Sequence, residues 1–319
     1  MIHSPDCFWS GDFIRRNPLM TQLSNGCRLC PRQCGADRSG GTPGYCGVAE
    51  PGIYAARAAL HLWEEPCISG ETGSGAVFFS GCPLRCVYCQ NYSIARAQVG
   101  KPISVDRLAE IFLELQQQKA ANINLVTPTH YTPQIIEAVT LARTKGLSIP
   151  IVYNCGGYES VETLRSLEGI VDIYLTDFKY MQSEPAERYS RAADYPEVAR
   201  AALAEMVRQQ PEARYDDSGM MTSGVIVRHL LLPGHVQNAK AVVKYVYETY
   251  GDRVWLSLMN QYTPLPQVAD FPEINRKVTR HEYDRLIRYA LSLGVENAFI
   301  QEGGTAAESF IPAFDYQGL

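Results

Sequence analysis

The apolar run Ala76-Val-Phe-Phe-Ser80, bounded by Gly75 and Gly81, reads as a buried strand of an α/β protein, and it leads directly into three thiols. Cys82, Cys86 and Cys89 follow within Cys-Pro-Leu-Arg-Cys-Val-Tyr-Cys, with no fourth cysteine beside them. A four-iron cluster held wholly by protein takes four thiolates, so three on one short loop leave an iron open to a ligand that is not protein. Structural zinc prefers four ligands, and thiols that merely pack have no need of this spacing. The spacing therefore predicts an iron–sulfur loop at the carboxyl end of a strand.

A second cysteine group, Cys27-Arg-Leu-Cys30-Pro-Arg-Gln-Cys34, is closed by Cys46 after the stretch Arg38-Ser-Gly-Gly-Thr-Pro43. Residues 26–48 hold so many Gly and Pro that they have little apolar surface to bury, and a metal is the expected organiser. Zinc and an auxiliary iron–sulfur cluster both fit four thiolates at these spacings. Cys7 and Cys67 read as packing residues. Because seven of the ten cysteines fall in the two clusters, a reducing compartment is expected rather than a secreted disulfide scaffold. The start of the chain shows no charged segment followed by an apolar one, and no apolar run reaches the roughly 20 residues of a membrane span. A cytoplasmic protein is expected. A net charge of −5 without any Lys or Arg run gives no electrostatic case for nucleic acid or for an anionic membrane. The composition, 46% hydrophobic and 20% charged, suits one catalytic domain with a small appendage. The division expected is a Cys-rich metal-binding extension over 1–55 and a catalytic domain over 56–319.

Beyond residue 75, strand-like and helix-like segments alternate, which predicts a partial or full parallel (β/α) barrel. Leu108, Ile111, Phe112 and Leu115 share one face of a helix over 105–115. Strands are read at 76–80, 123–126, 149–153, 171–175, 224–233, 254–258 and 296–300, and helices over 134–139 and 196–209. Active sites of such barrels gather at the carboxyl ends of the strands. Asn124, Thr127, Thr129 and His130 flank or follow the second strand, Asn154 and Gly156 the third, Asp177 and Lys179 the fourth, and Asn260, Gln261 and Tyr262 the sixth. Alternation lets only one of Arg228 and His229 face inward; Arg228 is the better candidate, with either an anionic ligand or Asp177 as its partner. His130 and His229 are read as structural. His61, Glu64 and Glu65 could bind substrate, cover the cluster region or lie in solvent, and no residue is singled out as catalytic. Phe310, Ile311 and Phe314 are candidates to pack back across the barrel.

The cysteine loop, with Tyr88 as the aromatic residue before its last thiol, resembles the signature of the radical S-adenosylmethionine (SAM) superfamily. The resemblance implies a (β/α) barrel and a [4Fe-4S] cluster on Cys82, Cys86 and Cys89. It also implies that SAM, bound at the open iron, is cleaved reductively to a 5′-deoxyadenosyl radical that abstracts hydrogen from a substrate. Asn124, Thr127, Thr129, Asn154, Asp177, Lys179 and Arg228 are then candidates to contact SAM. From Cys27 to about Gln301 the chain is similar to uncharacterised relatives of pyruvate formate-lyase activating enzyme. That similarity rests on Cys-Arg-Leu-Cys-Pro-Arg-Gln-Cys, His61-Leu-Trp-Glu-Glu-Pro66, Asn122-Ile-Asn-Leu-Val-Thr-Pro-Thr-His130 and Asp172-Ile-Tyr-Leu-Thr-Asp-Phe-Lys-Tyr180. It implies an oxidoreductase of the activating-enzyme type and an electron donor such as flavodoxin or ferredoxin, but gives no substrate; analogy with glycyl-radical-enzyme activation favours a polypeptide. Thr127-Pro-Thr129 stands where activases carry Gly-Gly-Glu, so the SAM amino group needs another contact here. A small-metabolite substrate, or a non-catalytic iron–sulfur or zinc protein that transfers electrons or scaffolds a partner, are the alternatives.

Overall fold

The computed structural model describes residues 26–49, 52–301 and 312–319. Cys7, Phe310 and Ile311 lie outside the described residues. The chain forms β1 (Ile53–His61), the single turn α1 (Pro66–Ser69), then β2 (Ser74–Phe79), which is the strand expected before the thiols. It continues through α2 (Tyr92–Ala95), β3 (Lys101–Ile103), α3 (Val105–Gln117), β4 (Ile123–Val126), α4 (Thr132–Thr144), β5 (Ile151–Cys155) and α5 (Val161–Arg165). Next come β6 (Ile173–Asp177), α6 (Ser183–Ser190), α7 (Tyr195–Gln209), β7 (Arg214–Tyr215), β8 (Met221–Leu230), α8 (Val236–Tyr250), β9 (Trp255–Met259), α9 (Arg280–Ser292) and β10 (Ala298–Ile300).

Local sequence accounts for the helix ends. The Ser104 side chain accepts from the Arg107 N–H at the start of α3, whose Leu108, Ile111, Phe112 and Leu115 are buried as one face. Thr279 and Glu282 form a reciprocal capping box on α9. The sheet order is β10-β9-β8-β6-β5-β4-β2-β1-β3, with β7 paired to β8. β2, β4, β5, β6, β8, β9 and β10 are parallel neighbours, whereas β1 runs antiparallel to β2 and to β3. Among the described residues the path has two free ends, so the sheet is a partial rather than a closed barrel.

Period-two alternation separates the two faces of this sheet. Tyr153, Tyr174, Val225 and Val227 pack with the helices, while Val152, Ile173, Leu175 and Ile226 pack with Cys67 and Ile68 of α1 on the other face. Each such aliphatic side chain, when fully buried, contributes about 1.5–3 kcal/mol. α1 thereby plugs the inner face and carries the preceding Glu64 and Glu65 to the sheet. The boundary expected at residue 55 falls inside β1. The Cys-rich segment docks on the barrel: Leu29 packs with Ile136, Thr163 Oγ1 donates to the Leu29 carbonyl, and Arg38 Nη1 donates to that of His130. Residues 312–319 run beside β1 through the Tyr316 N–H on the Ala56 carbonyl, and Phe314 meets Phe78 at 5.7 Å between ring centroids.

Candidate active site

The thiol loop leaves β2 through Gly81, which has φ +90°; a Cβ there would stand 2.8 Å from His130 Nε2 and 2.9 Å from the Cys46 carbonyl. Glycine is what allows this approach. The Cys82 N–H donates to that same Cys46 carbonyl at 3.2 Å, and the Arg85 N–H points to Cys82 Sγ at 3.5 Å. Cys82, Cys86 and Cys89 all line one cavity of about 220 Å³. Burial, and then the charge of Cys86, pushes the Cys82 thiol up to about 11; burial with Cys82 and Cys86 pushes Cys89 to about 12. Such thiols become thiolates when a cation replaces their protons, which suits the donor set of an iron–sulfur cluster.

Residues from the ends of four parallel strands meet these thiols across the cavity. Thr127, Thr129, Asn154, Asp177, Lys179 and Arg228 all line it. Asn124, the seventh candidate, is fully buried below the wall and donates to Glu64 Oε1 at 2.9 Å. Thr127, a β-branched residue, is held at φ +59° with its N–H on the Asn154 carbonyl, a conformation that costs about 1–3 kcal/mol and is met at functional sites. Lys179 Nζ pairs with Asp177 at 2.5 Å; burial opposes its charge, and Asp177 with the Cys86 and Cys89 sulfurs outweighs that and holds its pKa above the ordinary lysine range. Gly157, at φ +76°, lets the loop after β5 lie on the Asp177 carbonyl, with which any Cβ would collide.

Arg228 faces the cavity, as alternation requires, and His229 turns to the opposite face, its Nδ1 2.7 Å from the Phe178 carbonyl. The anionic partner of Arg228 is neither Asp177 nor an open position: Nη1 is 3.0 Å from Glu64, and Nε is 3.6 Å from Glu65. Glu64 therefore lies in the cavity wall, where it also accepts from Asn154 Nδ2 at 3.2 Å. Of the three roles open to Glu64 in the sequence, lying in solvent is excluded, since its side chain is 7% exposed. Asn124 Oδ1 and Glu65 Oε2 are buried acceptors without a hydrogen-bond partner. Glu159, missed by the sequence reading, also lines the cavity; Thr129 Oγ1 donates to it at 3.0 Å and the Tyr153 hydroxyl at 3.2 Å. Burial raises its carboxyl to about 8. His130 is buried, with Nε2 2.8 Å from the Ser80 carbonyl, and burial lowers it to about 3.

The N-terminal thiols sit beside this site. Cys27, Cys30 and Cys46 are buried and Cys34 is exposed, with Cys34 and Cys46 straddling Gly44. Burial raises the Cys30 and Cys46 thiols. Among the described residues, no three His, Cys, Asp or Glu side chains converge as a ready metal site.

Residues 76–211 match the radical SAM superfamily. Over that span the chain is similar to a radical SAM domain. The matched span begins within β2 and takes in the thiol loop and the ends of β4, β5 and β6. That superfamily implies a [4Fe-4S] cluster and SAM, and three thiols opening on one polar cavity are the donor type that such a cluster takes. An uncharacterised protein, MJ0674 of Methanocaldococcus jannaschii, is 28% identical over 279 residues, covering 85% of this chain and 76% of that protein. Two structures of Streptococcus suis SuiB are similar at 12% identity. The one bound to precursor peptide SuiA has a TM-score of 0.47 over 69% of this chain, and the one bound to S-adenosylmethionine has 0.48 over 70%. The chain spans less than half the length of either, at 46% and 48%. Among the described residues no helix is long and apolar enough to cross a membrane.

Proposed function

We propose that Cys82, Cys86 and Cys89 hold a [4Fe-4S] cluster, that SAM binds at its open iron within the cavity, and that the protein is a hydrogen-abstracting oxidoreductase of the activating-enzyme type. The observation that carries this reading is the meeting of the three thiols with Thr129, Asn154, Asp177 and Lys179 on one cavity wall. When bound, cluster and SAM together supply one-electron cleavage to a 5′-deoxyadenosyl radical. The chain's own residues position and neutralise. Lys179, kept cationic by Asp177, sets a positive charge beside the cysteine sulfurs and offsets their negative charge. Arg228 is neutralised by Glu64 and Glu65, so it braces the floor of the cavity while Asn154 and Thr129 present polar groups. Burial favours the protonated form of the Glu159 carboxyl, which accepts from Thr129 and Tyr153 in that wall.

A polypeptide substrate is favoured by the resemblance to activases and by the exposed Leu62 and Trp63, the latter on the cavity rim. An external one-electron donor such as flavodoxin or ferredoxin is required. The Cys-rich segment before β1 is read as an appended metal-binding unit on Cys27, Cys30, Cys34 and Cys46. The test is SAM binding to anaerobically reconstituted protein, read from the perturbation of the cluster's EPR signal. Lys179→Met and Thr129→Val are expected to weaken SAM at least about tenfold, about 1.4 kcal/mol, with iron content unchanged. Wild-type affinity in both would remove these residues from the SAM site.

A further inference from the structure

Ser190 closes α6 and takes no part in lining the cavity, yet its hydroxyl donates to Cys86 Sγ at 2.9 Å. A serine hydroxyl has a single proton to give. With that proton on sulfur, the 2.8 Å contact between the Tyr180 and Ser190 hydroxyls requires Tyr180 to donate. The 2.7 Å contact between Tyr88 and Tyr180 then requires Tyr88 to donate in turn. The three hydroxyls form a chain of one polarity that ends on Cys86, and a thiolate, which only accepts, fixes that polarity. All three side chains are buried, so water does not screen the chain.

The backbone holds this chain in place. The Val87 N–H, inside the thiol loop, donates to the Tyr189 carbonyl at 2.9 Å. Arg32, between two N-terminal cysteines, donates from Nη2 to the Ser190 carbonyl at 2.8 Å, from Nε to that of Pro83 at 2.9 Å, and from Nη1 to that of Arg191. The end of α6 and the thiol loop are thereby tied together from both sides.

The geometry points to Ser190 as a positioning residue that sets the reduction potential of the cluster through Cys86, with Tyr180 and Tyr88 orienting its proton. This rests on the proposal that Cys86 is a cluster ligand. A hydrogen bond to a ligand sulfur withdraws negative charge and favours the reduced cluster, which raises its potential. No bond is made or broken, and the electron comes from the external donor.

The experiment is an EPR-monitored redox titration of the reconstituted full chain beside Ser190→Ala, Ser190→Thr, Tyr180→Phe and Cys86→Ala. Ser190→Ala is expected to keep its iron and to be about tenfold less reduced at a fixed poise, a midpoint about 59 mV lower for a one-electron couple. Tyr180→Phe shifts the same way by less, and Ser190→Thr, which retains the hydroxyl, titrates as wild type. A wild-type midpoint in Ser190→Ala overturns the proposal, as does loss of its iron or an equal shift in Ser190→Thr. Cys86→Ala separates the two claims. If it retains the wild-type cluster, the ligand assignment is at fault; if it loses the cluster while Ser190→Ala titrates as wild type, the ligand assignment stands and the tuning role falls.

Discussion

Glu159 keeps a proton in the folded protein that the unfolded chain releases near 4.5, because burial raises its carboxyl to about 8. Stability that is fully present below 4.5 is therefore lost as pH rises toward 8, by up to about 1.4 kcal/mol per pH unit. Glu159→Gln preserves the shape and removes the titration. In urea unfolding at pH 5 and pH 8, wild type is expected to lose stability relative to this variant as pH rises. Parallel curves would contradict the account of Glu159. Burial lowers His130 to about 3 and His229 to about 4; both are present in each protein, so their contributions cancel. At this scale the sequence was legible wherever alternation governs. Arg228 inward and His229 outward follow from a strand's period alone. Glu64 could not be placed in that way, because its partner Arg228 lies 164 residues further along the chain and the two meet only through the fold. Glu159 lies four residues past the end of β5, in a loop whose course no periodicity describes.

At the scale of elements, the seven parallel strands were readable as short β-branched or aromatic runs, each followed by polar residues, and α3 as a single apolar face. β1 was not. Its Ile-Tyr-Ala-Ala-Arg-Ala-Ala-Leu-His sequence is alanine-rich without clean alternation, and pairing with β2 and β3 makes it a strand. β7 has two exposed residues and exists by its pairing with β8. The loop after β5 was seen as polar, but its contact with the Asp177 carbonyl is long-range. Gly157→Ala tests that contact. A side chain at φ +76° against a carbonyl is expected to destabilise the fold by more than about 1 kcal/mol and to lower SAM affinity by displacing Asp177 and Lys179. Denaturant unfolding and SAM titration read the two effects, and a variant unchanged in both would show that the loop accommodates a side chain.

For the whole molecule, the two cysteine groups adjoin through the Cys82 N–H on the Cys46 carbonyl, and the proposal treats them as two separate sites. Metal analysis of anaerobically purified protein is expected to show their independence. Cys27→Ser with Cys30→Ser should lose the N-terminal metal, zinc or iron, and keep the four irons of the loop; Cys82→Ser should do the reverse. Loss of both metals from either variant would mean that the two groups fold as one centre. The sequence motif made the thiol loop legible because three cysteines lie within eight residues. The cavity around them was only partly legible, since it is assembled from strand ends that the sheet alone brings together. Radical initiation in that cavity is the central claim, and it is tested most directly by 5′-deoxyadenosine formation from SAM in reconstituted, dithionite-reduced protein beside Cys82→Ala. Product from wild type and none from the variant is the expected result. Its absence from wild type with the cluster intact and reduced, with candidate polypeptides present, would contradict the account.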